Sequence, residues 1–184
     1  MHTNTSWDVA RFESCGQKWM DLSEGHYGVS LLNDCKYGHS VKDGCIGLTL
    51  IKSGIEPNPT TDQEEHFFTY ALYPHAEGWQ QAGTVREAYR LNQPALSVRG
   101  GQAGTEYSLA SVQPANVILE TVKQAEDGNG VIVRLYETEN ARTEACLTWN
   151  RPIASVEECN CIEEKQADAA FDSACIPFVI KPYE

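Results

Sequence analysis

The stretch VILETVKQAEDGNGVIVRLYET, Val117 to Thr138, contains two runs rich in aliphatic and β-branched residues, which favour strands. Between them stands AEDGNG, whose Asp, Asn and Gly residues are typical of a tight turn. The stretch therefore predicts an antiparallel hairpin. An even-sum register would place Glu120 and Arg134 on the same face, as a favourable cross-strand pair of opposite charge.

Further strands are predicted on both sides of this hairpin, mostly from apolar residues at every second position. The predicted strands are Tyr27 to Cys35, Cys45 to Lys52, Glu64 to His75, Ala141 to Trp149, Ile153 to Ile162 and Phe178 to Pro182. Both faces of the strand from Glu64 to His75 are largely apolar, which favours a strand covered on both sides.

One helix is predicted over TVREAYRLN, with Thr84 as its N-cap and Glu87 as the capping-box partner. Pro94 would end it. Seven or eight strands with one short helix predict an all-β fold, an antiparallel β-sandwich. Residues 1–26, which hold Trp7, Phe12 and Trp19 among polar residues, are expected to pack on a sandwich formed by residues 27–184.

The composition bounds the function. With 14 basic and 26 acidic residues the formal charge is −12, which disfavours nucleic acids and anionic membranes as partners. No run of apolar residues is long enough for a transmembrane helix, and Met1 to Asp8 lacks the apolar core of a signal peptide. Seven irregularly spaced cysteines favour reduced thiols in a cytoplasmic protein.

Motifs for catalysis or metal binding are not recognisable from spacing. The five histidines show neither HxH nor HExxH spacing, and no GxSxG or P-loop is present. Cys159-Asn-Cys161 has no second Cys or His pair at zinc spacing, so we interpret it as two small side chains packed in a sheet. His66, beside Phe67 and Phe68, is expected to be half-buried and hydrogen-bonded.

The most unusual stretch is LLNDCKYGHS, Leu31 to Ser40, in which a hydrophobic run ends in consecutive polar groups. This stretch resembles a signature of the α-mannosidases of glycoside hydrolase family 38. Other segments resemble the same family in order. They are TNTSWDVARFE (3–13), KWMDLSEGHYGVSLLNDCKYG (18–38), LTLIKSGIEPNPTTDQEEHFFTYALYPH (48–75), TVREAYRLNQP (84–94), ANVILETVKQAEDGNGVIVRLYE (115–137) and PFVIKPYE (177–184).

The resemblance is to the C-terminal region of these enzymes, a galactose-mutarotase-like supersandwich. It implies that the zinc ion, the aspartate nucleophile and the acid/base carboxylate belong to an N-terminal catalytic domain that this chain does not contain. No catalytic residue, metal ligand or cofactor is then expected here. The implied parent reaction is retaining hydrolysis of terminal α-mannosides, and the implied partners are the catalytic domain and mannoside sugars.

For Asn33, Asp34 and Tyr37 two roles stay open. They would wall the sugar pocket, the two polar side chains bonding hydroxyls and Tyr37 stacking on a sugar. Alternatively they form a structural turn or a domain interface, because buried polar groups need partners. An uncovered apolar face on the strand from Glu64 to His75 would also drive self-association of the isolated chain.

Two other functions compete with an accessory domain of an α-mannosidase. An independent carbohydrate-binding module would need an exposed aromatic platform, for which the candidates are Trp7, Trp19, Trp79 and Trp149. A small mutarotase-type enzyme would need a His and a carboxylate converging in a cleft, such as His39 with Asp34 or His66 with Glu64.

Overall fold

The computed structural model describes residues 6, 12–101, 104, 106–172 and 175–184. Trp7 lies outside the described residues. Contacts between Cα atoms divide the chain into two compact units, Met1–Arg99 and Gly100–Glu184. This division differs from the predicted one at residue 26, which falls in the turn between two paired strands. No helix in the described part of the chain is long and apolar enough to cross a membrane.

The first unit contains two three-stranded antiparallel sheets and a helix. Its strands are β1 (Ser14–Cys15), β2 (Trp19–Glu24), β3 (Tyr27–Asn33), β4 (Gly38–Lys42), β5 (Cys45–Thr49) and β6 (Tyr70–Ala76), followed by helix α1 (Thr84–Asn92). One sheet has the order β1-β4-β5 and the other β2-β3-β6. β3 is the central strand of the second sheet, and β4 is the central strand of the first. The chain passes from one sheet to the other between Asn33 and Gly38.

Helix α1 forms where the sequence predicts it, but its N-terminus differs. Gly83 occupies the N-cap position with a φ of 66°, and no side chain caps the helix. Thr84 lies inside the helix, fully buried, and its hydroxyl contacts Ser30 on β3 at 2.8 Å. Glu87 pairs with Arg90. The predicted capping box was therefore wrong, because a tertiary hydrogen bond uses the hydroxyl that would have capped the helix.

The predicted strand from Glu64 to His75 is shorter in the structure, because only Tyr70–Ala76 pairs, with β3 as its partner. Ala71, Tyr73 and His75 are half-buried or buried, and the Tyr73 hydroxyl donates to the Ala82 carbonyl, in the segment before α1. Leu72, on the opposite face, remains 64% exposed. The exposed second face agrees with the expectation that the isolated chain leaves apolar surface of this strand uncovered.

The second unit is a small sandwich. Its strands are β7 (Ala110–Gln113), β8 (Val117–Gln124), β9 (Val131–Glu137), β10 (Thr143–Trp149), β11 (Glu157–Cys159), β12 (Lys165–Asp168) and β13 (Ile176–Ile180). One sheet has the order β13-β10-β7, whereas β8-β9 and β11-β12 are two-stranded. Val117 of β8 packs with Ala145 of β10 and Ile180 of β13, so the core lies between the hairpin and the three-stranded sheet.

The hairpin of β8 and β9 confirms the prediction from AEDGNG, but its register is irregular. A bulge between Leu119 and Thr121 places Thr121, and not Glu120, opposite Arg134. The Arg134 side chain instead donates to the Cys161 carbonyl at 3.2 Å. The predicted Glu120–Arg134 pair is therefore wrong, because one extra residue changes which side chains are opposed.

The cysteines differ from the expectation of seven reduced thiols. Cys146 on β10 and Cys175, just before β13, form a disulfide between positions 29 residues apart. The other five cysteines are free and exposed. Cys159 and Cys161 are among them, which contradicts our interpretation of two thiols packed in a sheet.

Candidate functional site

The candidate site is the turn from Asn33 to His39, which joins β3 to β4. Asp34 anchors it to the neighbouring segment: the Asp34 amide donates to the Thr69 carbonyl at 3.2 Å, and the Thr69 amide donates to Asp34 Oδ2 at 2.9 Å. Burial alone would raise the pKa of the Asp34 carboxyl, but the Thr69 amide and further hydrogen bonds lower it below its ordinary value. The Asp34 carboxylate is therefore charged and binds the turn to the segment at Thr69.

Asn33 and His39 form the buried end of the turn, with Asn33 0% exposed. His39 Nε2 lies 2.8 Å from the Gly16 carbonyl, which can only accept, so Nε2 carries the proton. Asn33 Nδ2 lies 3.3 Å from the same nitrogen, which has no free lone pair to receive it in this tautomer. The contact is therefore one of packing more than of hydrogen bonding.

Three buried polar atoms of this turn have no partner among the described residues. They are Asn33 Oδ1, Asp34 Oδ1 and His39 Nδ1. With the proton of His39 on Nε2, all three are acceptors. Buried acceptors without donors are costly, and in native proteins they commonly mark a functional constraint. Among the described residues, no other buried side-chain atom is left unpaired.

The middle of the turn contacts the segment before β6. Cys35 Sγ lies 3.7 Å from the Phe67 carbonyl oxygen. Hydrogen bonding to the neighbouring Asp34 carboxylate raises the pKa of the Cys35 thiol. Lys36 Nζ lies 3.4 Å from His66 Nδ1. It also lies 5.3 Å from the centroid of the Phe68 ring, within the range of a cation–π contact. His66 is half-buried and lies 3.1 Å from the Asp62 carbonyl, as its environment predicted.

The three predicted site residues therefore have different environments. The Asn33 side chain is inside the molecule, and Asp34 is half-buried on Thr69. Tyr37 is 41% exposed, with its hydroxyl 3.4 Å from the Asp34 carbonyl that accepts from it. Of the three, only Tyr37 offers a surface that a sugar could meet without rearrangement. Asn33 and Asp34 have the geometry of a structural turn.

The alternative sites predicted from the sequence are not assembled in the described part of the chain. Trp19 and Trp79 pack together with ring centroids 4.9 Å apart, and both they and Trp149 are half-buried. His39 contacts Gly16 and Asn33 instead of Asp34, and His66 contacts Asp62 and Lys36 instead of Glu64.

Sequence reasoning missed one His–carboxylate pair. His75 Nε2 lies 2.7 Å from Asp21 Oδ2, and the side chains are only 3% and 4% exposed. Asp21 also accepts from Ser30 at 2.7 Å and from Ser23 at 2.6 Å. The alternation of β2 and β6 could have placed each residue on an inner face, but their separation of 54 residues hides the pairing. Both side chains of the pair are therefore shielded from solvent.

Zinc does not fit the described residues. They contain no group of three or more His, Cys, Asp or Glu side chains that could hold a metal ion. The donor types at the turn are one amide, one carboxylate and one imidazole, and the carboxylate already binds a backbone amide.

Segments in both units of the chain match models of known protein families. Residues 1–60 match the family model of the glycosyl hydrolases family 38 C-terminal domain. Residues 116–184 match the model of the glycosyl hydrolases family 38 C-terminal beta sandwich domain. Alpha-mannosidase G of Dictyostelium discoideum is 42% identical over 176 residues, which cover 89% of this chain and 16% of the relative. Alpha-mannosidase 2C1 of Homo sapiens is 42% identical, over 88% of this chain and 16% of its own length.

A solved structure supports the fold. The alpha-mannosidase from Enterococcus faecalis V583 superposes with a TM-score of 0.73 at 19% identity, over 100% of this chain and 22% of that one. This likeness supports an all-β, sandwich-type fold for the chain. The chain belongs to the C-terminal region of glycoside hydrolase family 38. It spans about a sixth of the length of the first relatives that it matches.

Proposed function

We propose that this chain is the accessory C-terminal part of an α-mannosidase, which supports a separate catalytic region and does not hydrolyse sugars by itself. The observation that carries the proposal is the likeness to alpha-mannosidases along 88–89% of this chain, confined to about a sixth of each relative. The buried, fully engaged state of its tightest His–carboxylate pair supports the same conclusion, since general acid–base catalysis needs contact with the substrate.

The catalytic steps are assigned to the remainder of such an enzyme. Retaining glycosidases use two carboxylates, one as nucleophile and one as acid and then base. We place both, together with the zinc ion, in the part of the relatives that this chain does not span. Cytoplasmic location remains a prediction from the sequence.

The turn from Asn33 to His39 is the surface we assign to the catalytic region or its sugar. Asp34 fixes the turn on Thr69, and the exposed side of the turn presents Tyr37. A tyrosine ring combines an apolar face for stacking with a hydroxyl for hydrogen bonding. Tyr37 is therefore the residue of this turn best suited to contact a sugar, whereas Asn33 and Asp34 hold its backbone.

The test begins with hydrolysis of a chromogenic α-mannoside, with zinc added, by this chain alone. We expect no hydrolysis. A chimera of the Dictyostelium relative, in which this chain replaces the matching C-terminal region, should be active. Activity of the isolated chain would overturn the proposal. So would an inactive chimera that folds and retains its metal.

Tyr37 is tested in the same chimera. Tyr37→Ala should raise KM by about tenfold, the loss expected for a stacking contact at a sugar, and Tyr37→Phe should retain most of the affinity. Tyr107→Ala is a matched control, because Tyr107 is also exposed and its hydroxyl lies 3.5 Å from a backbone carbonyl, that of Asn150. Equal effects of the two alanine variants would contradict a role for Tyr37 at the sugar.

A second candidate, an independent carbohydrate-binding module, is favoured by one observation. Phe67, which is 82% exposed, and Tyr70 flank the turn that presents Tyr37. Binding of mannose or an α-mannoside by the isolated chain, measured by calorimetry and lost in Phe67→Ala, would favour this candidate. Binding only in the chimera would favour the accessory role.

A further inference from the structure

Helix α1 contacts strand β3 at two points, one near each end of the helix. At its N-terminus Thr84 Oγ1 lies 2.8 Å from Ser30 Oγ, and both residues are 0% exposed. At its C-terminus Asn92 Nδ2 donates to the Asn33 carbonyl at 2.9 Å. Asn33 is the last residue of β3 before the candidate turn.

The distance between the two contacts is similar along the strand and along the helix. Three residues of strand from Ser30 to Asn33 span about 10 Å, and eight residues of helix from Thr84 to Asn92 span about 12 Å. A helix that lies along the strand can therefore make both contacts without distortion. Ala88, midway between them, is 0% exposed, so the helix lies closely on its support.

The direction of the hydrogen bonds at the first contact follows from Asp21. An ionised carboxylate only accepts, so the single hydroxyl proton of Ser30 goes to Asp21 Oδ2, at 2.7 Å. Thr84 must then donate to Ser30. His75 donates to the same carboxylate oxygen at 2.7 Å, and Ser23 donates to the other. Ser30 and His75 thus share one buried acceptor, Asp21 Oδ2, and Thr84 joins this network through Ser30.

We infer that Thr84 and Asn92 of helix α1 are positioning residues that hold the end of β3, and with it the turn from Asn33 to His39, in its working geometry. The Asn33 amide donates to the carbonyl of Lys18, the residue before β2, at 2.9 Å, so Lys18 binds the amide of Asn33 and Asn92 binds its carbonyl. Displacement of the helix would free the Asn33 carbonyl at the point where the turn begins.

Amide hydrogen exchange of this chain, resolved by residue, tests the inference without any assay of activity. In Asn92→Ala the amides of Asp34 and Thr69, which are bonded across the turn, should exchange about fivefold faster, as expected when one supporting hydrogen bond is lost. Amides of the β8–β9 hairpin should keep their rates.

Asn116→Ala is the matched control. Like Asn92, Asn116 donates through Nδ2 to two acceptors, Glu137 Oε1 at 2.9 Å and Thr143 Oγ1 at 2.8 Å. This variant should speed exchange in the second unit and leave Asp34 and Thr69 unchanged. Unchanged exchange at the turn in Asn92→Ala, or an equal rise in both variants, would overturn the inference.

Thr84 provides the second arm. Thr84→Val keeps the shape and removes the donor, whereas Thr84→Ser keeps the hydroxyl. Faster exchange at Asp34 and Thr69 is expected in the valine variant alone. Equal behaviour of the two variants would remove Thr84 from the positioning role. The consequence for hydrolysis rests on the proposed function. If exchange changes as expected but Asn92→Ala leaves the KM of the chimera unchanged, the result would count against the proposed function and not against the positioning role.

Discussion

At the scale of single residues, buried polar side chains stabilise each of the two units internally. Asp21 accepts three hydrogen bonds in the first unit. Glu137, 1% exposed, accepts in the second unit from Asn116 and from the backbone amides of Glu139, Ala141 and Tyr183. Each carboxylate joins several segments, and the hydrogen bonds that it accepts from them offset the cost of burying its charge.

Glu137 predicts how stability depends on pH. Burial alone would raise the pKa of its carboxyl, but hydrogen bonds from Asn116 and three amides lower it below its ordinary value of 4.5. A lowered pKa means that the stabilisation is complete above the unfolded value and is lost as pH falls through the folded value. Glu137→Gln should reduce the free energy of unfolding at pH 7 by about 1–3 kcal/mol and weaken its fall below pH 4.5, measured by urea titration. A mutant with the wild-type acid profile would contradict this.

Gly28 predicts a steric effect. A Cβ at this position would lie 2.4 Å from His75 Cε1 and 2.6 Å from Ser23 Cβ, two atoms of the network around Asp21. Gly28→Ala should therefore lower the free energy of unfolding by about 1–3 kcal/mol. Gly25→Ala, where a Cβ would meet nothing within 4 Å, should have little effect. Similar denaturant midpoints for both variants would show that the network yields without cost.

At the scale of elements, local pattern predicted where strands and helix occur but not how they join. The hairpin of β8 and β9 follows from residues within one stretch, and so does α1. The N-cap of α1 and the partner of Arg134 do not, because the first depends on Ser30, 54 residues away, and the second on a bulge at Glu120. The period-two apolar pattern predicts that residues 64–69 belong to the strand, and this is wrong because pairing with β3 begins only at Tyr70.

The predicted site shows the same division. A polar turn after a buried strand could be located from LLNDCKYGHS alone. Its supports could not, because Thr69, Gly16 and Asn92 are distant in the sequence. The sequence therefore predicts which residues form the turn, and the tertiary contacts decide which of them reach the surface.

The disulfide between β10 and the residue before β13 predicts how many cysteine thiols react with a thiol reagent. Of the seven cysteines, the disulfide between Cys146 and Cys175 leaves five free. The chain unfolded without a reductant should therefore react with five equivalents of a thiol reagent, and with seven after reduction. Closing a loop of this length typically stabilises a fold by about 2–4 kcal/mol, so reduction should also lower Tm. Seven reactive thiols before reduction would contradict the pairing.

At the scale of the whole molecule, exposed apolar side chains are grouped on and beside one face of β6. Tyr70 and Leu72 of β6 are 55% and 64% exposed, and Phe67 next to them is 82% exposed. Among the described residues these three side chains are thus largely uncovered. Apolar residues grouped on one face are typical of an interaction surface.

The isolated chain should consequently self-associate despite its charge of −12. Sedimentation should show a weight-average mass above 20.4 kDa that rises with concentration and with salt, because salt screens the repulsion. Leu72→Ser should shift the chain toward monomer. Val131→Ser, at a residue 53% exposed on β9, is the control and should leave the association unchanged. A monomer at all concentrations would contradict the prediction. If Leu72→Ser and Val131→Ser reduced association equally, a general loss of surface hydrophobicity would account for the change. The face of β6 would then not be the specific contact.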